Sequence, residues 1–177
     1  MKEYITEGIV LGVEPINDYD QLVDLYTKDF GRLKAKVVSG RKILSKLSPH
    51  LDPLNFVILR LIQKNNFTVA DAITADRLPL IRSSVAKMTA ALWLLRVIRQ
   101  VLFAAAPDRR LWFWLRRSLQ TGRISYRQFL KLSGFDPELA RCESCESSNV
   151  ACFVFKDQSF LCERCRSQFS INEVIWF

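Results

Sequence analysis

Histidine and cysteine are both scarce in this sequence. Among its 177 residues there are five cysteines and a single histidine, His50. Five cysteines are too few for the disulfide scaffold of a small secreted domain. His50 follows Pro49 in a polar segment, where a histidine is more often a surface or capping residue than a catalyst.

The motifs of common catalytic sites are also missing. The sequence contains no HExxH, no P-loop, no GxGxxG and no GxSxG. Asp18 and Asp20 could form a pair of carboxylates, but beside Asn17 they are better interpreted as turn formers. The sequence therefore favours a binding protein over an enzyme and predicts no small-molecule substrate.

An uncharged run long enough to cross a membrane is missing as well. The most apolar window, residues 85–106, contains Lys87, Arg96 and Arg99, and a charge near the centre of a bilayer costs about 2.5–3.5 kcal/mol. We therefore interpret this window as a buried helix. Residues 1–6 lack the apolar segment of a secretory signal, so we expect a cytoplasmic protein with no membrane partner.

The chain has few glycines and prolines, six of each, whereas 49% of its residues are hydrophobic and 25% are charged. This composition predicts a packed globular chain. The 26 Lys and Arg exceed the 18 Asp and Glu by 8, which gives a net charge of +8.

The charge is unevenly distributed over three predicted domains. Residues 1–77 carry 11 basic and 10 acidic groups, residues 78–141 carry 12 and 3, and residues 142–177 carry 3 and 5. Basic residues often only solvate helix faces, but an excess of 12 over 3 favours a polyanionic partner.

The first predicted domain has the pattern of β-strands. Its segments are rich in β-branched residues or alternate apolar with polar residues, and Gly, Asn and Asp separate them. A polar link, irregular or helical, follows the third segment. This arrangement predicts a five-stranded closed barrel of the oligonucleotide-binding (OB) type. The five segments are residues 8–13, 21–27, 32–38, 55–62 and 67–73.

The third of these strands should carry a row of positive charge. Because side chains alternate along a strand, Leu33, Ala35 and Val37 are expected in the barrel core and the basic residues between them outside. A solvated face would explain this strand alone, but the basic residues continue into the link beyond Gly40. The predicted nucleic-acid-binding residues are Arg32, Lys34, Lys36, Arg41, Lys42 and Lys46.

The second predicted domain has the periodicity of helices. Apolar residues recur at spacings of three and four, which predicts a long helix over residues 85–105, followed by helices over 108–121 and 126–133. Five successive large apolar residues, 111–115, cannot all face one core. They either pack between domains or form, with the arginines beside them, an apolar pocket for an acidic peptide.

Two CxxC pairs in the third predicted domain form the most specific motif of the chain. Cys142 and Cys145 make the first pair, and Cys162 and Cys165 make the second. Each pair can place both sulfurs on one metal at ~2.3 Å, and two pairs complete a closed tetrahedral site for one structural zinc ion. The segment between the pairs predicts a hairpin, as in a zinc ribbon. Cys152 is interpreted as a small apolar residue of a buried strand. The predicted fold class is therefore α+β, with a barrel, a compact helical domain and a zinc ribbon.

In this order the segments resemble the RecO family of bacterial DNA recombination and repair proteins. Gly134-Phe-Asp-Pro137 leading into the two CxxC pairs is similar to the zinc-bearing members of that family. The chain is shorter than typical members and stops soon after Cys165, where the family usually continues in helix. The resemblance to the family's OB domain is carried by Glu7-Gly-Ile-Val-Leu11, by residues 19–31, and by Val37-Val-Ser-Gly-Arg-Lys42 with Ser45.

The resemblance implies a non-catalytic mediator. Such a protein binds single- and double-stranded DNA, anneals complementary strands, and engages the acidic C-terminal tail of single-stranded DNA-binding protein. With RecR it assists loading of the RecA recombinase, in the bacterial cytoplasm and at the nucleoid during repair. The chemistry of an acidic tail makes candidates of Arg96, Arg99, Trp112, Arg116 and Arg117.

Two other functions remain open from the residues. OB barrels and zinc ribbons also occur in RNA-binding and transcription-associated proteins. Alternatively, the basic helices alone could bind an acidic peptide, which would make the chain a protein-interaction adaptor without a nucleic-acid role.

Overall fold

The computed structural model describes residues 1–103, 106–170 and 173–177 of the chain. These residues form two compact units, residues 1–122 and 123–177. The first unit contains the barrel and three helices, and the second contains the four paired cysteines. The division into three domains at residues 77 and 141 stays a prediction.

The first unit is built around a closed barrel of five strands. The strand order is β1-β2-β3-β5-β4, with β4 pairing back to β1, and only the short β3–β5 pairing is parallel among these neighbours. The five-stranded N-terminal part of the predicted fold is therefore confirmed. The strands are β1 (Lys2–Pro15), β2 (Gln21–Thr27), β3 (Gly31–Val37), β4 (Phe56–Gln63) and β5 (Phe67–Asp76).

Strand β1 is longer than predicted because two partners share it. Its N-terminal part pairs with β4 and its C-terminal part with β2. The register with β2 shifts between Val10 and Gly12, and an irregularity of this kind bends a strand and increases its twist. One strand can thereby contribute to both sides of a small barrel.

The alternation predicted for β3 is present in the barrel. Ala35 and Val37 are fully buried in the core, and Leu33 packs against it while partly exposed. Burial of such side chains stabilises the fold by about 25 cal/mol per Å² of apolar surface. Lys34 and Lys36 alternate with these residues and lie on the outer surface.

The link after β3 contains a short 3-10 helix, Ser48–His50. The imidazole Nδ1 of His50 accepts a hydrogen bond from the backbone amide of Thr74 at 3.1 Å and lies 2.8 Å from the hydroxyl of Thr74. The single histidine thus fastens the link to β5.

Three helices complete the first unit: α1 (Pro79–Arg82), α2 (Val85–Val101) and α3 (Arg109–Thr121). Residue 105, the predicted end of the long helix, lies outside the described residues. Asp108 caps α3, since its carboxylate accepts hydrogen bonds from the amides of Arg110 and Leu111. Across the described part of the chain, no helix combines the length and apolar character needed to cross a bilayer.

In the described part of the second unit, helix α4 (Tyr126–Leu132) precedes a small three-stranded sheet, and a short 3-10 helix spans Cys165–Gln168. The predicted hairpin between the cysteine pairs is confirmed as β6 (Cys152–Val154) and β7 (Ser159–Leu161). A strand that the sequence pattern did not indicate, β8 (Val174–Trp176), pairs with the other side of β6.

Candidate nucleic-acid interface and metal centre

A basic cleft crosses the outer face of the barrel. Its volume is about 570 Å³, and β2, β3, the start of β5 and the β4–β5 hairpin contribute to it. An OB barrel binds oligonucleotides on this strand face, between the β1–β2 and β4–β5 loops. The residues that line the cleft include Ile16, Lys34, Lys36, Lys64, Asn66 and Phe67.

The side chains of Lys34 and Lys36 are half exposed, and each forms an ion pair with a nearby carboxylate. The Nζ of Lys34 lies 3.2 Å from Glu14, and the Nζ of Lys36 lies 2.8 Å from Asp20. The Lys34–Glu14 pair is exposed on both sides and such pairs contribute little to stability, so a phosphate can replace Glu14 as the partner of Lys34. Asp20 is only 14% exposed, but the Lys36 side chain that it holds is 45% exposed and can also reach a phosphate. The structure thus brings two of the predicted residues together in one cleft.

Asp20 is held in its charged form. The hydrogen bond from Lys36, followed by that from the backbone amide of Ser39, lowers the pKa of the Asp20 carboxyl to about 2. Asp20 therefore remains an anion at neutral pH, and its negative charge lies beside the positive charge of Lys36.

Lys64 was missed by the sequence analysis, although it lines the same cleft. It precedes Asn65 and Asn66, the turn residues that join β4 to β5. The turn is visible in the sequence. Which barrel face this hairpin lies beside depends on the pairing of β5 with β3, which links residues far apart in the chain.

Arg32, one of the predicted nucleic-acid-binding residues, is held by partners inside the protein. Its guanidinium donates to both carboxylate oxygens of the buried Asp24, at 3.0 and 2.8 Å, and to the backbone carbonyls of Arg99, at 2.6 Å, and Leu102. These bonds join β3 and β2 to the end of α2. Because every part of the guanidinium is engaged inside the protein, we leave Arg32 out of the proposed DNA surface.

Three further predicted residues, Arg41, Lys42 and Lys46, are exposed in the β3–β4 link. The Arg41 guanidinium donates to the backbone carbonyl of Asn17. The Nζ of Lys42 lies 5.2 Å from the ring centroid of Tyr19, a cation–π contact. The basic link is therefore packed against the β1–β2 loop that borders the cleft.

Trp112 does not lie on the surface, which corrects its assignment to a partner-binding site. It is fully buried, with its ring centroid 6.4 Å from that of Tyr26 and 5.9 Å from that of Phe56. Its ring packs α3 against the barrel. This is the domain-packing alternative that the sequence left open for residues 111–115.

Arg99 is also engaged within the first unit. Its guanidinium donates to Asp24 at 3.1 Å and pairs with Glu14. The guanidinium approaches β1 closely, since a Cβ at position 12 would lie 3.0 Å from Nη1 of Arg99. Arg99 therefore connects α2 to the barrel, which leaves it less available to a partner than its charge suggested.

The other candidates for binding an acidic tail are more accessible. Arg96 is exposed on α2, with its guanidinium 5.2 Å from the ring centroid of Trp93. Arg116 forms an ion pair with Glu7 at 2.6 Å and is 41% exposed. Arg117 is exposed on the next position of α3.

The four paired cysteines converge in the second unit. The Sγ atoms of Cys142, Cys145, Cys162 and Cys165 all lie within 4.8 Å of one another. The Sγ atoms of Cys145 and Cys162 lie 3.6 Å apart, near the ~3.8 Å that tetrahedral geometry requires for a metal–sulfur distance of ~2.3 Å. These side chains fit a metal ion.

The thiols are electrostatically unequal without a cation. Burial would raise the pKa of Cys142, but hydrogen bonds from the backbone of Cys162, Ser144 and Cys145 outweigh it and lower the pKa to about 6. Hydrogen bonding with the sulfurs of Cys145 and Cys162 raises the pKa of Cys165 to about 12. Four adjacent thiolates need a positive ion to be stable together.

Local structure explains why the sulfurs meet. The amide of Glu143 donates to the carbonyl of Phe160 at 2.9 Å, which holds the first CxxC turn against β7. The second turn begins at Cys162, directly after β7. Cys152 is fully buried on β6, opposite Leu161, as expected for a residue of a buried strand.

Comparison with known proteins agrees with this architecture. Residues 1–73 match the family model described as Recombination protein O N terminal. DNA repair protein RecO of Rubrobacter xylanophilus is 28% identical over 184 residues, which cover 94% of this chain and 73% of that protein. For RecO of Thermodesulfovibrio yellowstonii the identity is 27%, with 94% and 71% covered, and for RecO of Alkaliphilus metalliredigens it is 25%, with 94% and 74% covered. The chain is thus similar to RecO proteins over most of its length, in agreement with the resemblance that its motifs carry.

Proposed function

We propose that this protein is a DNA-binding mediator of recombination and repair. The observation that carries the proposal is the cleft over β2, β3 and β5, where Lys34, Lys36 and Lys64 lie together. The names of the relatives, DNA repair protein RecO, support DNA as the polyanion.

The chain binds single and double strands through their phosphates. Lysines that hold phosphates leave the bases free, so two complementary strands held in this way can pair, which is annealing. Sequence preference is weak because phosphate contacts carry no direct sequence information. The DNA-binding residues are Lys34, Lys36 and Lys64 in the cleft with Arg41, Lys42 and Lys46 in the link beside it.

The helices of the first unit provide the partner surface. Arg96, Arg116 and Arg117 offer positive charge on α2 and α3, and Phe113 is 57% exposed beside them in the sequence. This combination suits an acidic peptide that ends in a hydrophobic side chain, and we propose the acidic tail of single-stranded DNA-binding protein as that peptide. With RecR, the protein assists RecA loading on the coated strand, in the bacterial cytoplasm and at the nucleoid during repair.

The four cysteines hold one zinc ion with a structural role. Four protein thiolates close the coordination sphere and leave no position for a substrate or an activated water. The protein therefore acts by binding and positioning DNA, without catalysing a reaction.

Annealing tests this function directly. Complementary fluorescent DNA strands are mixed with the full chain, bare or coated with single-stranded DNA-binding protein. We expect faster annealing in both cases, and on coated strands the acceleration should be lost when the acidic tail of the coating protein is removed. No acceleration on either substrate would reject the mediator function.

Competition between DNA and RNA of the same sequence separates this proposal from an RNA-binding function. We expect RNA to compete no better than DNA. A strong preference for RNA would favour the transcription-associated alternative.

A further inference from the structure

The link between β3 and β4 carries two apolar side chains that are almost completely exposed. Ile43 and Leu44 have relative exposures of 103% and 92%. We call these two residues the tip. An exposed apolar pair gains free energy when another surface covers it, so the tip is suited to a partner.

The tip lies at the apex of a turn whose chemistry is unusual. The amide of Ser45 donates to the carbonyl of Lys42 at 2.9 Å, which makes Ile43 and Leu44 the two central residues of a β-turn. Gly, Pro, Asn, Asp and Ser dominate such positions because they favour the turn conformation or its hydrogen bonds. Large apolar residues break this local rule, and departures of this kind are expected at functional sites.

The turn is anchored at its base. The amide of Ser39 donates to the Asp20 carboxylate at 2.9 Å, and the amide of Arg41 donates to the carbonyl of Tyr19 at 2.9 Å. Gly40 fits closely, because a Cβ there would lie 2.8 Å from side-chain atoms of Gln21 and Val37. The β1–β2 loop and the end of β3 thus hold the segment that presents the tip.

The surroundings of the tip favour a polyanion as its partner. Arg41, Lys42 and Lys46 flank it in the sequence and are exposed. Tyr19, under the Nζ of Lys42, is 60% exposed. The loop that carries Tyr19 also carries Ile16, which lines the basic cleft. An apolar and aromatic surface surrounded by positive charge is complementary to a nucleic-acid strand with unpaired bases.

We propose that the tip, together with Tyr19, contacts the bases of single-stranded DNA whose phosphates lie on the lysines of the cleft. This inference rests on the proposed function and adds a base-contacting element to it. In a duplex the flat faces of the bases are stacked on one another and hidden. The tip therefore gives the protein a preference for single strands that phosphate contacts alone do not provide.

The test compares two double variants of the full chain. Ile43→Ser with Leu44→Ser removes the apolar tip, and serine is a residue that turns accept. Ile5→Ser with Ile73→Ser is the matched control, since these isoleucines are exposed on β1 and β5 of the same barrel. Affinities for an oligothymidine and for a duplex of equal length are measured by fluorescence anisotropy at two salt concentrations. A strand containing 2-aminopurine reports contacts to the bases.

The tip variant should bind the single strand about tenfold more weakly, as expected for losing contacts of one well-buried apolar side chain. Its affinity for the duplex and its salt slope should stay close to those of the unaltered chain, and its 2-aminopurine response should fall. The control should resemble the unaltered chain, and thermal unfolding should show that both variants are folded.

The outcomes separate this inference from the proposed function. If the unaltered chain binds DNA through the cleft lysines but the tip variant binds single strands as tightly as the unaltered chain does, the inference is wrong. The exposed tip would then be better explained as a contact for a protein partner. Equal losses on single and double strands would also overturn it. If the unaltered chain binds no DNA, the proposed function fails and the base contact fails with it.

Discussion

Arg32 and Lys34 lie two positions apart on β3, and their partners give them different roles. Arg32 reaches the buried Asp24 and two backbone carbonyls at the end of α2. Lys34 reaches Glu14, which is as exposed as the lysine itself. A planar guanidinium with several fixed donors suits a buried network, while an ammonium on a flexible stem suits exchangeable partners.

The cleft lysines should contribute to DNA affinity through charge. The triple variant Lys34→Ala, Lys36→Ala and Lys64→Ala is expected to bind single-stranded DNA more weakly and with a shallower dependence on salt. Each lost phosphate contact should reduce the slope of log K against log salt by ~0.7, because fewer counterions are released. Anisotropy titrations over a range of salt concentrations measure both quantities.

Arg60→Ala provides the control for this experiment. Arg60 is an exposed cation on β4 that pairs with Glu3 and does not line the cleft. Its loss should leave the slope unchanged. An equal loss of slope per removed charge in both variants would mean that DNA binding reflects net charge without a defined site.

At the scale of elements, the stability of α3 depends on the residue that caps its N-terminus, Asp108. The Asp108 carboxylate accepts hydrogen bonds from two amides of the first turn, and its pKa is lowered by the hydrogen bond from the Arg110 side chain and then by the backbone amides of Arg110 and Leu111. Trp112 follows on the buried side of the helix and contacts the barrel. Capping and packing therefore act on the same turn of α3.

Replacing Asp108 should destabilise the first unit in a manner that depends on pH. Asp108→Ala is expected to lower the free energy of unfolding by about 1 kcal/mol near pH 7 through loss of the cap. Since the folded state lowers the Asp108 pKa from 3.8, the carboxylate stabilises the protein above that pH. This contribution is lost as the pH falls through the lower, folded value.

Asp108→Asn separates the two effects. Asparagine retains an oxygen that accepts the amide hydrogen bonds but does not titrate. Urea unfolding followed by tryptophan fluorescence should show the unaltered protein losing stability relative to this variant below about pH 4. Parallel curves for the two proteins would contradict a lowered pKa of Asp108 in the folded state.

At the scale of the whole molecule, the two units have separate hydrophobic cores. One core cluster consists of barrel residues and the link after β3, and another consists of residues around the four cysteines. The core cluster of the second unit is small, and cysteine side chains form part of it. A small core of this kind often needs a metal to remain folded.

Removing the proposed zinc ion should therefore affect the two units differently. With a strong zinc chelator present, amides of β6, β7 and β8 are expected to lose protection from hydrogen exchange, while those of β1–β5 keep it. Hydrogen exchange read by mass spectrometry resolves the two units in the full chain. Restored protection on addition of zinc would show that the loss is reversible, and loss of protection in β1–β5 as well would contradict independent cores.

The site was partly predictable at each of these scales. Alternation along β3 placed Ala35 and Val37 inside and Lys34 and Lys36 outside because side chains of a strand point to opposite faces. The spacing of two CxxC pairs predicted convergence of four sulfurs because each pair is a local turn. Neither inference needed to know which distant segments pair.

Other features were settled only by long-range packing. Lys64 reaches the cleft through the β3–β5 pairing, and Trp112 is buried because Tyr26 and Phe56 stand opposite it on the barrel. A periodic pattern states that a side chain needs an apolar neighbour or a counterion, but it does not identify that neighbour.

The sequence by itself therefore determined the five barrel strands and the hairpin in outline, the alternation of core and surface along β3, and the two CxxC turns that could hold a metal ion, because each of these depends mainly on residues close together in the chain. Only the tertiary structure decided which cations lie at the cleft that we propose as the DNA surface. Arg32 and Arg99 are held by the buried Asp24, while Lys34, Lys36 and Lys64 face a common cleft. The physical reason is that a cation beside a buried carboxylate is held within the protein, whereas a cation at an exposed cleft can bind an outside partner, and the folded chain decides which neighbour each cation has.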